Sequence, residues 1–317
     1  MTVTEWHDYS AEKTIRFFTL TLLATMAPVF LIKSQEDLRR FCNALALVGI
    51  ITAIDALASL ILQGEQLLRL TAFSANTIAL GRAVGLALVW FSVLALEGRF
   101  SILTTLIGIG SLGFVLLSAG SRGPLIATAV GILLVVMLLR WRNVRRITRL
   151  AMIIIIAVLS VYANFQLIPE TSLQRTGSFL RGDFGASEQL RFQAYALSWE
   201  AIRETPFGIG LGGFATRINL WSDVSRQYPH NILLETLLEG GWLAGIYLVI
   251  LLELSLVKAY SLGRQHRESP ELIMLFAFLL FLLVNAAVSG DLNDNKGLFA
   301  FIGLAIGFRA TSPHGKV

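Results

Sequence analysis

The chain has 317 residues, 55% of them hydrophobic and only 15% charged, whereas a soluble domain carries about a quarter charged residues. That balance excludes an ordinary soluble fold, because the apolar residues collect in runs of about 18 or more, the length at which a helix crosses hydrocarbon with its backbone satisfied internally. The net charge of +5 does not imply a nucleic-acid partner, since the basic residues are scattered between apolar spans, where topology accounts for them.

In chain order, the N-terminal stretch MTVTEWHDYSAEK is polar and carries no cleavable leader pattern. Apolar runs follow at about 16–32, 41–62, 76–96, 100–119, 124–140, 150–168, 235–257, 271–288 and 297–310, each near the length of a span. The single cysteine, Cys42, excludes an intramolecular disulfide and reads as a buried small apolar residue. The fourth and fifth runs are separated only by Gly120, Ser121, Arg122 and Gly123, a tight reversal. The expected fold is all-α: a polytopic transmembrane helical bundle of about nine spans with one long external loop containing short helices. Its divisions are residues 1–168 with the first six helices, 169–234 as a loop domain, and 235–317 with the last three.

Lysine and arginine in the short loops set the orientation. Lys33, Arg39 and Arg40, then Arg99, then Arg140, Arg142, Arg145, Arg146 and Arg149, then Lys258, Arg264 and Arg267 share one side under this count. That side is cytoplasmic by the positive-inside rule. The other side then holds the Arg122 turn, the segment 169–234 and the stretch Ser289–Lys296.

Segment 169–234 is too long for a plain connection, which marks it as functional. Its pattern predicts an amphipathic helix from Glu188 to Glu204, with Leu190, Ala194, Leu197 and Ala201 on one face and Arg191, Tyr195 and Ser198 on the next. Pro206 and the glycines 208, 210, 212 and 213 end it. All basic residues of 169–229 are arginines (175, 181, 191, 203, 217 and 226), balanced by six acids. Arginine's planar fork suits bidentate contact with phosphate, although solvated surface ion pairs explain most of the six. Arg191 stands apart because its face also carries Tyr195.

Arg122, in a Ser-Arg-Gly-Pro turn, presents a guanidinium where glycine allows close backbone approach, with interfacial snorkelling as the plainer alternative. Arg82 lies inside the third run, where an unpaired charge is costly, so it either pairs with Asp55 or faces a polar cavity. His230 follows Tyr228 and Pro229 and precedes Asn231, where the long segment re-enters the bilayer. A histidine there can take a proton from an attacking hydroxyl, or simply cap a helix. Asp291, Asn293, Asp294 and Asn295 lack the spacing of a calcium loop, and no metal or other cofactor is expected. The run from Gly208 to Gly213 has no preceding strand and no following Gly-Lys-Ser/Thr, so it is no phosphate loop.

Several of these groups together resemble the O-antigen ligase and polymerase superfamily of bacterial membrane glycosyltransferases. They are Ser121-Arg122-Gly123; Arg191 to Tyr195 with Trp199; Thr205 to Phe214; Pro229-His230-Asn231; and Glu239 to Gly245. The similarity runs from about residue 71 onward. Members of that family typically have about twelve spans, so the resemblance implies a shorter N-terminal part here. It also implies an inner-membrane enzyme whose site faces the periplasm. The reaction would be a metal-independent, inverting transfer of a glycan from an undecaprenyl-diphosphate carrier to lipid A–core or to another lipid-linked glycan. By the same analogy Arg122 and Arg191 bind the diphosphate and His230 acts as base. Arg82, Tyr195, Asn231 and Glu239 contact substrate, and the carrier lies in a groove open to membrane lipid.

Two other classes fit the composition. A solute transporter predicts internal repeats and polar, broken helices at midplane; no repeat is seen. A non-catalytic binder of lipid-linked glycan would keep the site without turnover.

Overall fold

The computed structural model describes residues 3–63, 70–73, 76–139, 144–163, 168, 171, 174, 177–178, 181, 185–218, 220 and 227–309. All regular structure among these residues is helical. The chain opens with α1 (Val3–Arg16), which runs through a π-helical turn (Phe17–Thr21) into α2 (Leu22–Leu31). Then come α3 (Gln35–Gln63), α4 (Thr77–Leu96), α5 (Ile102–Ser118), α6 (Arg122–Leu138) and α7 (Val144–Ala163). The amphipathic α8 (Ala186–Glu204) and the short α9 (Gly213–Arg217) precede α10 (Ile232–Gln265), α11 (Pro270–Ala286) and α12 (Lys296–Gly307).

Each apolar run of the sequence falls on a helix. Among the described residues, four stretches are long and apolar enough to cross a membrane: Tyr9–Leu31, Gln35–Leu62, Thr77–Leu96 and Ile232–Gln265. The other apolar helices are shorter, at 10–17 residues. The all-helical membrane architecture expected from the sequence therefore stands, with four candidate spans.

Helix starts are fixed by side-chain caps. Asn76 accepts the Ala79 amide at 2.8 Å, and Ser101 accepts that of Thr104 at 3.1 Å, each supplying a partner to an amide the helix itself cannot satisfy. The reversal between α5 and α6 turns on Gly120 at φ 60°, the left-handed conformation that ends helices at glycine.

The contacts divide the chain into two compact units. One contains residues 34–183 and 262–281. Its centre is α4, most of whose residues are buried, Trp90 among them. Small residues let neighbouring backbones close on it: a Cβ on Gly49 of α3 would lie 2.3 Å from the Ala83 oxygen, and one on Gly81 would lie 2.9 Å from Pro124 of α6. Such contacts are the usual means of helix association in lipid, where dispersion replaces hydrophobic burial. Trp90 Nε1 donates to Asn43 Oδ1 at 2.7 Å, and Arg39 Nε pairs with the buried Glu271 at 2.5 Å. Cys42 is a buried free thiol in this unit. An apolar cavity of about 420 Å³ opens between α3, α4 and α5, lined by Ile50, Ile54, Phe91, Leu103 and Ile107 among others.

The other unit contains residues 1–33, 184–261 and 282–317. Here α2 packs on α12, so closely that a Cβ on Gly303 would overlap the Thr25 oxygen. Helix α8 packs on the first turns of α10 through Ala194, Ala201, Ile202, Leu237 and Leu238, joined by Phe214 of α9. The buried stripe of α8 includes Ser198, whose hydroxyl is satisfied by the Ala194 carbonyl at 2.6 Å. Leu197, placed on the apolar face by sequence pattern, is 37% exposed. The stripe is rotated toward Ser198 and Ile202, because the small Ala194 and Ala201 allow the closest approach to α10.

Candidate functional site

Two glycine-rich motifs meet in the second-described unit. Helix α10 is broken at Gly241, with φ 75° and ψ −176°, so the carbonyls just before it lose their helical donors. The Pro206–Gly213 loop supplies replacements: Ile209 donates to Leu238 at 2.9 Å and Gly210 to Glu239 at 3.0 Å, while Trp242 donates back to Pro206 at 3.0 Å. Side chains would block this docking, since a Cβ on Gly208 or Gly241 would overlap backbone of the other segment. The Ile209 and Gly210 amides are spent here. The loop is thus a structural clasp, as the lack of a phosphate-loop pattern in the sequence suggests.

The clasp and α8 frame the entry to α10. Asn231 caps that helix: its Oδ1 accepts the Leu233 and Leu234 amides at 3.0 and 3.1 Å, and its Nδ2 donates to the Ala287 carbonyl at 3.0 Å. His230, one residue earlier, sits at φ 58°, a left-handed conformation costing a non-glycine residue about 1–3 kcal/mol and clustering at functional positions. Its ring lies 4.4 Å from that of Tyr228, centroid to centroid. Burial lowers its pKa from 6.5 to about 4; the Arg191 charge pushes the same way, and Asp294 opposes both. The imidazole is therefore neutral at physiological pH, the form that accepts a proton.

Arg191 is partly buried on α8, and no carboxylate among the described residues pairs with it. Tyr195 follows one turn later, edge-on to Phe192 at 6.3 Å, and burial raises its phenol pKa against the pull of Arg191. Trp199 and Trp242 continue this aromatic side, edge-on at 6.1 Å.

Beyond Asn231 lies an arrangement that sequence reasoning missed. Lys13 of α1 is 1% exposed, and its Nζ contacts Glu235 Oε1 at 2.6 Å and both Glu239 oxygens at 2.7 Å. Glu235 Oε1 also accepts the Leu292 amide at 3.2 Å. The Asp/Asn-rich turn that follows α11 is held from the same side. Asn293 donates to the Lys13 carbonyl at 3.0 Å and accepts from Thr21 at 2.9 Å. Within the turn, Asp291 Oδ1 accepts the Asp294 amide at 2.6 Å, and Asn295 donates to the Asp291 carbonyl at 2.8 Å. Burial, with Asp294 nearby, raises the Asp291 pKa. The sequence signal was available in Glu235 and Glu239, which are spaced i, i+4 and so share a face of an apolar helix; Lys13 was hidden in a polar N-terminal stretch.

The expected site residues divide accordingly. His230, Arg191 and Tyr195 lie together in one unit. Glu239 is buried, with both its oxygens on the Lys13 ammonium. Asn231 serves the α10 cap and the Ala287 tether, which fixes the backbone next to His230. Arg122 and Arg82 belong to the other unit. Arg122 opens α6, with Nη2 donating to Ser178 at 3.4 Å. Gly81, beside Arg82, packs on Pro124, two residues past Arg122, so both arginines occupy the same end of that unit. Asp55 accepts the Phe73 amide at 2.7 Å. Arg175 and Arg226 fall outside the described residues.

A bundle of apolar helices, with a partly buried arginine beside a neutral histidine at a helix entry, defines an integral membrane protein with a candidate site for an anionic substrate. Residues 103–249 match the model of the O-antigen ligase family. The matched stretch includes every motif of the resemblance, from Ser121 to Gly245. No curated protein matches the chain.

Proposed function

We propose that the chain is a glycosyltransferase of the O-antigen ligase or polymerase type. It would move a glycan from undecaprenyl diphosphate to an acceptor sugar hydroxyl at the periplasmic face of the inner membrane. The observation that carries this reading is the neutral His230, held in a left-handed backbone conformation and under the influence of the partly buried Arg191 charge. The acceptor hydroxyl gives its proton to His230 as its oxygen attacks the anomeric carbon with inversion, and the carbon–oxygen bond to the diphosphate breaks. Arg191 stabilises the charge on the departing diphosphate, the place a metal ion takes in other transferases. A bound diphosphate also offsets the Arg191 charge, raising the basicity of His230 toward the working pH. Tyr195, one turn from Arg191 on α8, offers a hydroxyl to the sugar or phosphate. Within the unit centred on α4, Arg122 and Arg82 carry positive charge of a kind suited to phosphate.

The test is transfer in vitro from undecaprenyl-diphosphate glycan, offered lipid A–core or a second lipid-linked repeat. His230→Ala should cut the rate by about 10²–10⁴-fold, and Arg191→Ala comparably, with Arg191→Lys recovering only part because a point charge lacks the fork. EDTA should change nothing. Full transfer by His230→Ala at normal membrane levels would sink this reading.

The buried Lys13–Glu235–Glu239 cluster and the break in α10 favour one competitor, an ion-coupled solute transporter, since intramembrane charges often mark ion paths. Uptake of solute that survives His230→Ala, with glycan products unchanged, would support it.

A further inference from the structure

Lys13 and Glu235 touch neither His230 nor Arg191, yet they hold the turn that carries Asp294. Glu235 sits one helical turn past the Asn231 cap on α10, and its Oε1 takes both the Lys13 ammonium and the Leu292 amide. Asn293, the next residue, is tied to the Lys13 carbonyl and the Thr21 hydroxyl. The ties continue to Asp294, whose amide bonds to Asp291 Oδ1. The far end of the turn is tethered to Asn231 through Ala287. Both attachments lead to α10 within five residues of His230.

We infer that Glu235 is a positioning residue: with the Lys13 backbone carbonyl it forms an internal strut that sets the Ser289–Asn295 turn, and with it the Asp294 carboxylate, relative to His230. The inference rests on reading His230 as the reacting base, and it names what holds the charge environment of that base in register. Three considerations support a positioning use over simple stabilisation. Buried ion pairs contribute little net stability compared with apolar residues of the same volume. Besides joining α1 to α10, the strut's hydrogen bonds reach the turn at the Leu292 amide and at Asn293. The charged groups acting on His230 are Arg191 from α8 and Asp294 from this turn, of opposite effect, so a shift of the turn changes their balance. Glu239, Asp291, Tyr9 and Arg16 are the other titratable groups near the strut among the described residues.

The test reads His230 without turnover, by ring-carbon NMR of the full-length protein in detergent. The chain has only four histidines, and the His230 signal is assigned by its loss in His230→Asn. Lys13→Met/Glu235→Gln and Lys13→Met/Glu235→Leu both remove the ion pair, but only the leucine variant removes the acceptor of the Leu292 amide. The glutamine variant should titrate as the parent does. The leucine variant should titrate lower by roughly half a unit, as Asp294 moves away. Asp294→Asn should give the same downward shift, with no further shift when combined with the leucine variant. If the leucine variant does not fold, Asn293→Leu, which cuts the other two ties to the turn, should reproduce the effect. An unchanged midpoint in the leucine and Asn293 variants, or shifts that simply add to that of Asp294→Asn, would overturn the strut. Transfer activity is measured beside it: full transfer by His230→Ala with the expected titrations would defeat the enzymatic reading and leave the strut in place.

Discussion

Replacing Gly241 by alanine should unseat the Pro206–Gly213 clasp from α10. Gly241 has φ 75° and ψ −176°, a region essentially reserved for glycine that costs another residue about 1–3 kcal/mol. A Cβ there would lie 2.6 Å from both the Phe207 carbonyl carbon and the Pro206 oxygen, backbone atoms that cannot swing aside, and such overpacking costs about 1–3 kcal/mol more. The expected loss is their sum, about 2–6 kcal/mol. Gly208→Ala should behave alike, because at φ 81° its Cβ would meet the Glu239 oxygen at 2.5 Å. Gly210 provides the control: its φ is 86°, but nothing lies within 4 Å of its Cβ position, so alanine pays only the conformational cost of about 1–2 kcal/mol. Thermal unfolding of the purified full chain, followed by the surviving monodisperse fraction, should rank Gly210→Ala well above the other two. Equal melting of Gly241→Ala and Gly210→Ala would refute the claim that close backbone docking demands the glycine.

The His230 shift makes a prediction about pH and stability. Its folded pKa of about 4 lies below the usual 6.5, so the native state binds the proton less readily than the unfolded chain. Stability from this group is complete above about 6.5 and is lost as pH falls toward 4; the melting temperature should fall through that window, and less so in His230→Gln. Arg39→Met leaves the buried Glu271 carboxylate without its partner and should destabilise by about 1–3 kcal/mol, most of it recovered when Glu271→Met is added; no recovery would mean that the pair is incidental. Asp55→Asn keeps an acceptor for the Phe73 amide and should melt within about 0.5 kcal/mol of the parent, whereas Asp55→Ala should lose more, up to about 1 kcal/mol.

Much of the fold could be read from the chain because each apolar run is a local property: a helix in lipid satisfies its own backbone, so hydrophobic length alone announces it. The helix α8 was legible for the same reason, with Pro206 and the glycines marking its end. His230 and Arg191 stood out because a histidine at a re-entry point and an arginine among aromatics are unusual choices. The roles of Asn231 and Glu239 were not legible. Whether a polar side chain meets substrate or is consumed by a cap or an ion cluster depends on neighbours far away in sequence; Lys13 and Glu235, for example, are 222 positions apart.

The sequence by itself thus determined a helical membrane chain, the elements it is built from and the basic residues suited to an anionic substrate. Only the tertiary structure decided which glycines clasp the broken helix, which carboxylates are spent on a buried lysine, and that His230 is held neutral. Those outcomes follow from burial and from charge at close range. Neither exists until distant segments have packed together.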